Sequence, residues 1–291
     1  MECFKSNKEA VERSPARSRP YRDLYIYLVK GTVRNDDEVV LGDLFLGNWV
    51  EDDSSFLFFT TPSEKAISRL LKRRPDLELM DDYQFTYEQW QGGGLDCVEI
   101  ENFVIAPPWS EAPRAEDRIR INLDPGVVFG NGLHPTTRDC LRALLLAHDM
   151  RPFTRVVDIG TGTGILAVAA AFLGAKKVLA ADLNPLCVKT AHKNVRINNL
   201  GNIIEVVERP AEVLACETAD LMIANIHYDV IRSLLKERVF RNNDRLILSG
   251  LMRSQARDVR AGLRENHLRV LKEWDHEMTW FTMLLEHKIM K

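Results

Sequence analysis

The sequence has no apolar run approaching the ~20 residues of a membrane-crossing helix, so no membrane association is expected. Its opening stretch, MECFKSNKEAVERSPARSRPYR, lacks the apolar centre of a secretory signal. Cysteine is scarce: Cys3, Cys97, Cys140, Cys187 and Cys216 lie far apart, form no CxxC pair and make an odd total. That disfavours a disulfide framework and a zinc ribbon, and points to a reduced, cytoplasmic protein. Histidines are equally scattered, so no metal site is expected. No charge sign dominates either. The 39 basic residues face 42 acidic ones, so no whole-chain field favours nucleic acid or membrane. What remains is ample apolar content, 45% of 291 residues, in a length that suits two domains.

One stretch organises the rest: RVVDIGTGTGILAVAAAFLGAKKVLAAD, residues 155–182. Val156 and Val157 lead to Asp158, then to the loop Gly160-Thr161-Gly162-Thr163-Gly164, an apolar helix and a second strand ending at Asp182. This is one βαβ unit, with glycines that let a helix N-terminus approach a ligand. An acid about 20 residues on is where an open α/β sheet grips a ribose. The dinucleotide fingerprint would put its third glycine where Ile165 stands, and Asp158 is a poor neighbour for a pyrophosphate. A nucleoside carrying an amino acid in place of phosphates suits both departures, because Asp158 can accept from an ammonium group. S-adenosylmethionine is such a ligand. The alternative, a βαβ turn with no ligand, leaves the position of Asp182 unexplained.

Two further constellations flank it. Upstream, Asp124-Pro125-Gly126-Val127-Val128-Phe129-Gly130-Asn131-Gly132-Leu133-His134-Pro135-Thr136-Thr137 precedes a helix. Phe129 between glycines can cover an adenosyl group and Thr137 can reach its polar atoms; the plainer reading is a helix-capping loop. Downstream, Asp220-Leu221-Met222-Ile223-Ala224-Asn225-Ile226-His227-Tyr228 is a buried strand ending in Asn225, at the sheet edge where α/β folds place ligands. Asn225 can accept hydrogen bonds from an amine, and the following carbonyl can help to aim it, which makes Asn225 the candidate catalytic residue. His227 and Tyr228 either line the acceptor pocket or simply pack.

Around these motifs the chain divides as a basic tail (1–20), a small α+β domain (21–90), a linker (91–117) and an α/β domain (118–291). The first domain reads as strands at 24–29, 46–50, 56–59 and 77–85, with a helix after Thr61-Pro62-Ser63-Glu64 and another over 35–45. That order, β-α-β-β-α-β, is ferredoxin-like. Lys72-Arg73-Arg74 reads better as helix-end charge than as an RNA contact. One strand is expected at 97–106, and strands alternating with helices from 118 onward imply a parallel sheet whose final β-β pair adds an antiparallel strand.

The combination DPGVVFGNGLHPTT, VVDIGTGTGILAVAAAFLGAKKV, AADLNP, ADLMIANI and LILSGL resembles the ribosomal protein methyltransferase family PrmA over about residues 105–288. The resemblance implies a class I S-adenosylmethionine-dependent methyltransferase, a Rossmann-like doubly wound sheet with an antiparallel last strand, plus a ferredoxin-like substrate-docking domain. It implies methylation of lysine side chains and the N-terminal amine of a large-subunit ribosomal protein, with no nucleic-acid requirement. Thr137, Gly160, Asp182 and Asn225 would then contact the cofactor, with Phe129, His134, Asp158, Thr161 and Gly162 nearby. Asn131 stands where the family usually has Thr, and the basic tail is additional. Competing readings are the same chemistry on another protein or a small amine, a nucleic-acid amino methyltransferase, and a non-catalytic binding module. Ile226-His227 replaces the two prolines that the nucleic-acid enzymes want after their Asn.

Overall fold

The computed structural model describes residues 21–93, 97–110, 117–214, 217–236, 240 and 243–288. The basic tail therefore lies outside the described residues. The first strands, β1 (Asp23–Lys30), β2 (Phe45–Glu51), β3 (Ser54–Phe59) and β4 (Glu78–Thr86), form an antiparallel sheet in the order β2-β3-β1-β4. Helix α1 (Glu64–Arg73) turns Ala66, Ile67 and Leu70 inward onto Tyr27, Leu57 and Phe59. Its Lys72 and Arg73 stand in the last turn, where positive charge meets the negative helix end. Arg74, the C-cap, pairs with Asp37 and Asp76.

The helix expected over 35–45 does not form; one short 3-10 turn, Glu38–Val40, stands there. The Asp37 carboxylate accepts from the Arg34 amide at 3.1 Å and also pairs with Arg74. A local side-chain turn of this kind competes with helix formation, and the β-branched pair Val39-Val40 does little to oppose it. After β4, the short helix α2 (Tyr87–Gln91) opens with a capping box between Thr86 and Gln89.

The single strand expected at 97–106 is a hairpin of β5 (Val98–Ile100) and β6 (Phe103–Ala106), turning through Glu101 at φ 49°. The strand expected at 118–123, β7 (Ile119–Asn122), pairs with β6 and not with the main sheet. The long helix α3 (Pro135–Met150) follows. Then come β8 (Arg155–Ile159), α4 (Ile165–Phe172), β9 (Lys177–Asp182), α5 (Pro185–Ile197) and β10 (Ile204–Glu208). The short α6 (Ala211–Leu214), β11 (Ala219–Asn225), α7 (Tyr228–Lys236), β12 (Asn243–Met252), α8 (Arg253–Leu263), β13 (Leu268–His276) and β14 (Trp280–His287) complete the chain.

Seven of these strands make one sheet in the order β10-β9-β8-β11-β12-β14-β13. The strands from β10 to β12 run parallel, and β14 runs antiparallel to both of its neighbours. This is a doubly wound, Rossmann-like sheet with an antiparallel strand near its edge, as the sequence resemblance implies. The chain leaves β8 toward β9 on one side and returns to β11 on the other, so the order reverses between β8 and β11. That switch point is where such sheets bind ligands. Helix α4, Ala-rich and buried on almost every residue, packs between the sheet and neighbouring helices as a helix apolar all round must.

The two lobes share a further apolar cluster. Tyr21, Leu24, Phe58 and Tyr87 meet Val127, Val128, Leu186 and Cys187 there. Each large apolar side chain buried in this way contributes about 1.5–3 kcal/mol. The interface thus presses the first lobe against the 124–135 segment.

Candidate active site

The switch point gathers the ends of β8, β9 and β11. In the β8·β11 register Ala224 lies opposite Ile159, which brings Asn225 alongside Gly160. Gly160 has φ 68°, and a Cβ there would lie 2.1 Å from Ile226 Cγ2. Only glycine allows the loop and the Asn225-Ile226 corner to come so close.

The Asp158 carboxylate is buried, and its Oδ2 accepts from the Thr161 hydroxyl at 2.6 Å. Its Oδ1 is buried with no partner among the described residues. Burial pushes the Asp158 carboxyl up to about 7; the Thr161 hydrogen bond works against this, and the charge of Asp182 adds a little to it. Asp182 lies at the end of β9. Its two oxygens accept from the amides of Gly162 and Asn184, each at 3.0 Å. The loop is also held by Thr161 N to Ala181 O at 2.9 Å.

The 124–135 segment closes over this loop. Thr163 donates its amide to Phe129 O at 3.2 Å and its hydroxyl to Gly130 O at 2.7 Å. His134 caps α3, with Nδ1 accepting from the Thr136 amide and Pro135 in the first turn. Its ring stands edge-on between Phe129 and Trp280, each 5.0 Å away. Burial, with His276 adding repulsion, holds the His134 pKa below its ordinary value. Thr137, in the first turn of α3, has a buried hydroxyl with no partner among the described residues.

At the β11 end, Gly250 takes φ 81°, and a Cβ on it would meet Ile226 O at 2.9 Å and Asn225 Oδ1 at 3.3 Å. Two carbonyl-type oxygens therefore converge on the same small space. Tyr228 does not join them: its hydroxyl donates to Asp258 Oδ2 on α8 at 3.0 Å. His227 is exposed and faces Asp229 at 3.4 Å. Tyr228 is thus turned toward α8, and His227 stands exposed just before α7.

The structure thus brings together Asp158, Gly160, Thr161, Gly162, Asp182 and Asn225 on adjoining strand ends, with Phe129, His134 and Thr137 in the covering segment and the helix behind it. These residues fit S-adenosylmethionine. Thr137 Oγ1 is a buried polar atom with no partner among the described residues, which suits a hydrogen-bonding ligand, and Asp182 holds a fixed carboxylate at the end of β9, where open α/β sheets hold a ribose. Among the described residues no cluster of His, Cys, Asp and Glu could hold a metal ion, and no helix is long and apolar enough to cross a membrane.

Sequence reading missed several supports. Asn194, fully buried on α5, donates to Asp124 O at 2.9 Å and Thr163 O at 2.8 Å and accepts from Asp124 N at 2.9 Å. It joins the covering segment to the glycine loop. Gln91 Nε2 donates to Gly126 O at 2.7 Å, Tyr21 donates to the same carbonyl at 2.8 Å, and Asn131 Nδ2 donates to Gln91 O at 3.1 Å. The only signal for Asn194 was a polar residue on the apolar face of a helix. Gln91 and Tyr21 gave none.

Comparison with known proteins agrees with this geometry. The family described as ribosomal protein L11 methyltransferase (PrmA) matches residues 62–288. A ribosomal protein L11 methyltransferase of Desulfitobacterium hafniense is 40% identical over a 291-residue alignment covering 91% of this chain and 92% of that relative. The protein of the same name from Geobacillus kaustophilus is 37% identical over 182 residues, 60% of this chain and 58% of its own length. The crystal structure of a ribosomal protein L11 methylase from Lactobacillus delbrueckii subsp. bulgaricus overlays with a TM-score of 0.59 at 28% identity, covering 66% of this chain and 98% of the other. The chain belongs to the ribosomal protein L11 methyltransferase (PrmA) family of S-adenosylmethionine-dependent protein methyltransferases.

Proposed function

We propose that this methyltransferase moves methyl groups onto amine nitrogens, lysine side chains and the N-terminal amine, of ribosomal protein L11 in the cytoplasm, with no nucleic acid required. L11 is the substrate named for its relatives. The observation that carries the amine reading is the pair of oxygens, Asn225 Oδ1 and Ile226 O, that converge beside Gly250. An amine that reaches these two oxygens donates its N–H groups to both, which fixes the direction of its lone pair.

S-adenosylmethionine supplies, when bound, a methyl group on a positively charged sulfur. The protein's part is to position and dehydrate the nucleophile. Asp158, Thr161 and Asp182 fix the cofactor side, and Asn225 and Ile226 fix the acceptor side. A lysine amine has an unperturbed pKa of ~10.4, so the acceptor site must favour its neutral form. Among the described residues, His227 is turned to solvent and His134 Nδ1 is engaged at its cap, so neither is arranged as a base. The proton therefore leaves to water before the amine is enclosed.

The test is incubation of the purified protein with L11 and methyl-labelled S-adenosylmethionine, followed by mass-spectrometric mapping. Methyl groups on lysine nitrogens or the N-terminal amine of L11 support the proposal. Label confined to ribosomal RNA, or to no ribosomal component, contradicts it.

A further inference from the structure

A cavity of about 630 Å³ lies between the first lobe and the outer side of the 124–135 segment. Its walls carry Trp49, Phe56, Phe58 and Trp90 from the first lobe and Phe129 from the covering segment. Among the described residues, Glu51, exposed at the end of β2, is the one carboxylate or fixed charge in its lining. Among the described residues no Lys or Arg lines it. The volume lies within the usual range for a specific ligand site.

We propose that this cavity is an anchoring subsite for a cationic side chain of the protein substrate, a lysine or methyl-lysine held apart from the reacting amine. The inference rests on the methyltransferase reading above. Aromatic faces carry negative charge density and attract ammonium groups, most strongly when water is excluded. Glu51 adds an opposite charge at the edge of the aromatic wall. An uncharged aliphatic side chain would gain only the apolar contact and would crowd the Glu51 carboxylate. His134 also borders the cavity, and its depressed pKa keeps it from repelling a cation near neutral pH.

Location ties the subsite to the reaction. Phe129 forms part of the cavity wall, while its carbonyl accepts from the Thr163 amide of the glycine loop at 3.2 Å. Gln91 and Asn131 also border the cavity and are hydrogen-bonded to each other. A cation seated here holds the substrate protein against the segment that covers the cofactor loop, so a neighbouring amine on the same protein is presented to Asn225.

The test uses the full chain with L11 as methyl acceptor. Trp49→Leu should raise KM for L11 about tenfold and Glu51→Gln a few-fold, with kcat and KM for S-adenosylmethionine unchanged. Trp49→Phe should restore most of the loss. KM for L11 within twofold of wild type in both Trp49→Leu and Glu51→Gln would overturn the proposal. A second measurement does not depend on L11: tryptophan fluorescence with Nε-trimethyl-lysine amide and its uncharged tert-butyl isostere. Saturable quenching by the cation, absent for the isostere and lost in Trp49→Leu, supports the subsite. Equal responses to both probes, or to neither, overturn it. If wild type does not methylate L11 while the cation still binds, the substrate assignment fails and the subsite stands.

Discussion

The amide of Gly162 donates to Asp182 Oδ2 at 3.0 Å, tying the glycine loop after β8 to the last residue of β9. A second amide, that of Asn184, holds Asp182 Oδ1 at the same distance. The carboxylate is thus fixed before any ligand arrives, as a ribose-binding acid should be. Asp182→Ala removes both the grip and the loop anchor. Hydrogen bonds to charged groups are each worth about 1.5–3 kcal/mol, so S-adenosylmethionine affinity should fall at least about 100-fold in calorimetry, with the fold retained by circular dichroism.

Asp158 gives a pH signature. Its folded-state value of about 7 lies above the ordinary 3.8, because burial penalises the charge. Between those two values the folded protein holds a proton that the unfolded chain has lost. This group's contribution to stability is therefore full below the ordinary value and is lost as pH rises through about 7. Thermal unfolding of the ligand-free protein should show a loss over that window that is missing in Asp158→Asn. Cofactor affinity should instead rise through pH 7 in wild type, since the ionised carboxylate is the form that accepts from an ammonium group.

Gly250→Ala tests the acceptor corner. The new methyl would sit 2.9 Å from Ile226 O and 3.3 Å from Asn225 Oδ1, at a residue with φ 81°. Such strain costs of order 1–3 kcal/mol, so a modest drop in melting temperature is expected. The larger effect should be on turnover: kcat should fall by about 100-fold, with S-adenosylmethionine affinity changed only a few-fold.

Gln91→Ala tests the clasp between lobes. It removes the longer of Asn131's two contacts with Gln91, the one to Oε1 at 3.3 Å, and takes one of two donors from Gly126 O. A freed covering segment should raise KM for S-adenosylmethionine by about tenfold in steady-state kinetics, because binding then has to order the segment.

The strand ends and the glycine loop of the candidate cofactor side could be located in the sequence because they are compressed into short spans. The loop at 160–164 and the acid at Asp182 lie within one βαβ step, and Asn225 ends the strand β11 that pairs with β8. Long-range polar supports could not be located in this way. Asn194 is separated from Asp124 by 70 residues, and Gln91 from Gly126 by 35, so only the folded chain brings them together. Tyr228 was ambiguous for a different reason: one helical turn decides whether a residue after a strand faces the ligand or the next helix, and Asp258 on α8 supplies the hydrogen bond that turns it away. In the first lobe, β1 and β3 were marked by apolar runs, whereas the missing helix near Asp37 reflects its turn with Arg34 together with its pairing to Arg74, 37 residues on.

The most direct measurement is transfer of labelled methyl from S-adenosylmethionine to purified L11 by wild type, Asp182→Ala and Asn225→Ala. The account predicts label on L11 amines with wild type, none above background for Asp182→Ala at cofactor concentrations that saturate wild type, and for Asn225→Ala near-normal cofactor binding with kcat reduced by about 100-fold or more. Undiminished transfer by Asn225→Ala would contradict the assignment of the β11 corner as the site that orients the amine.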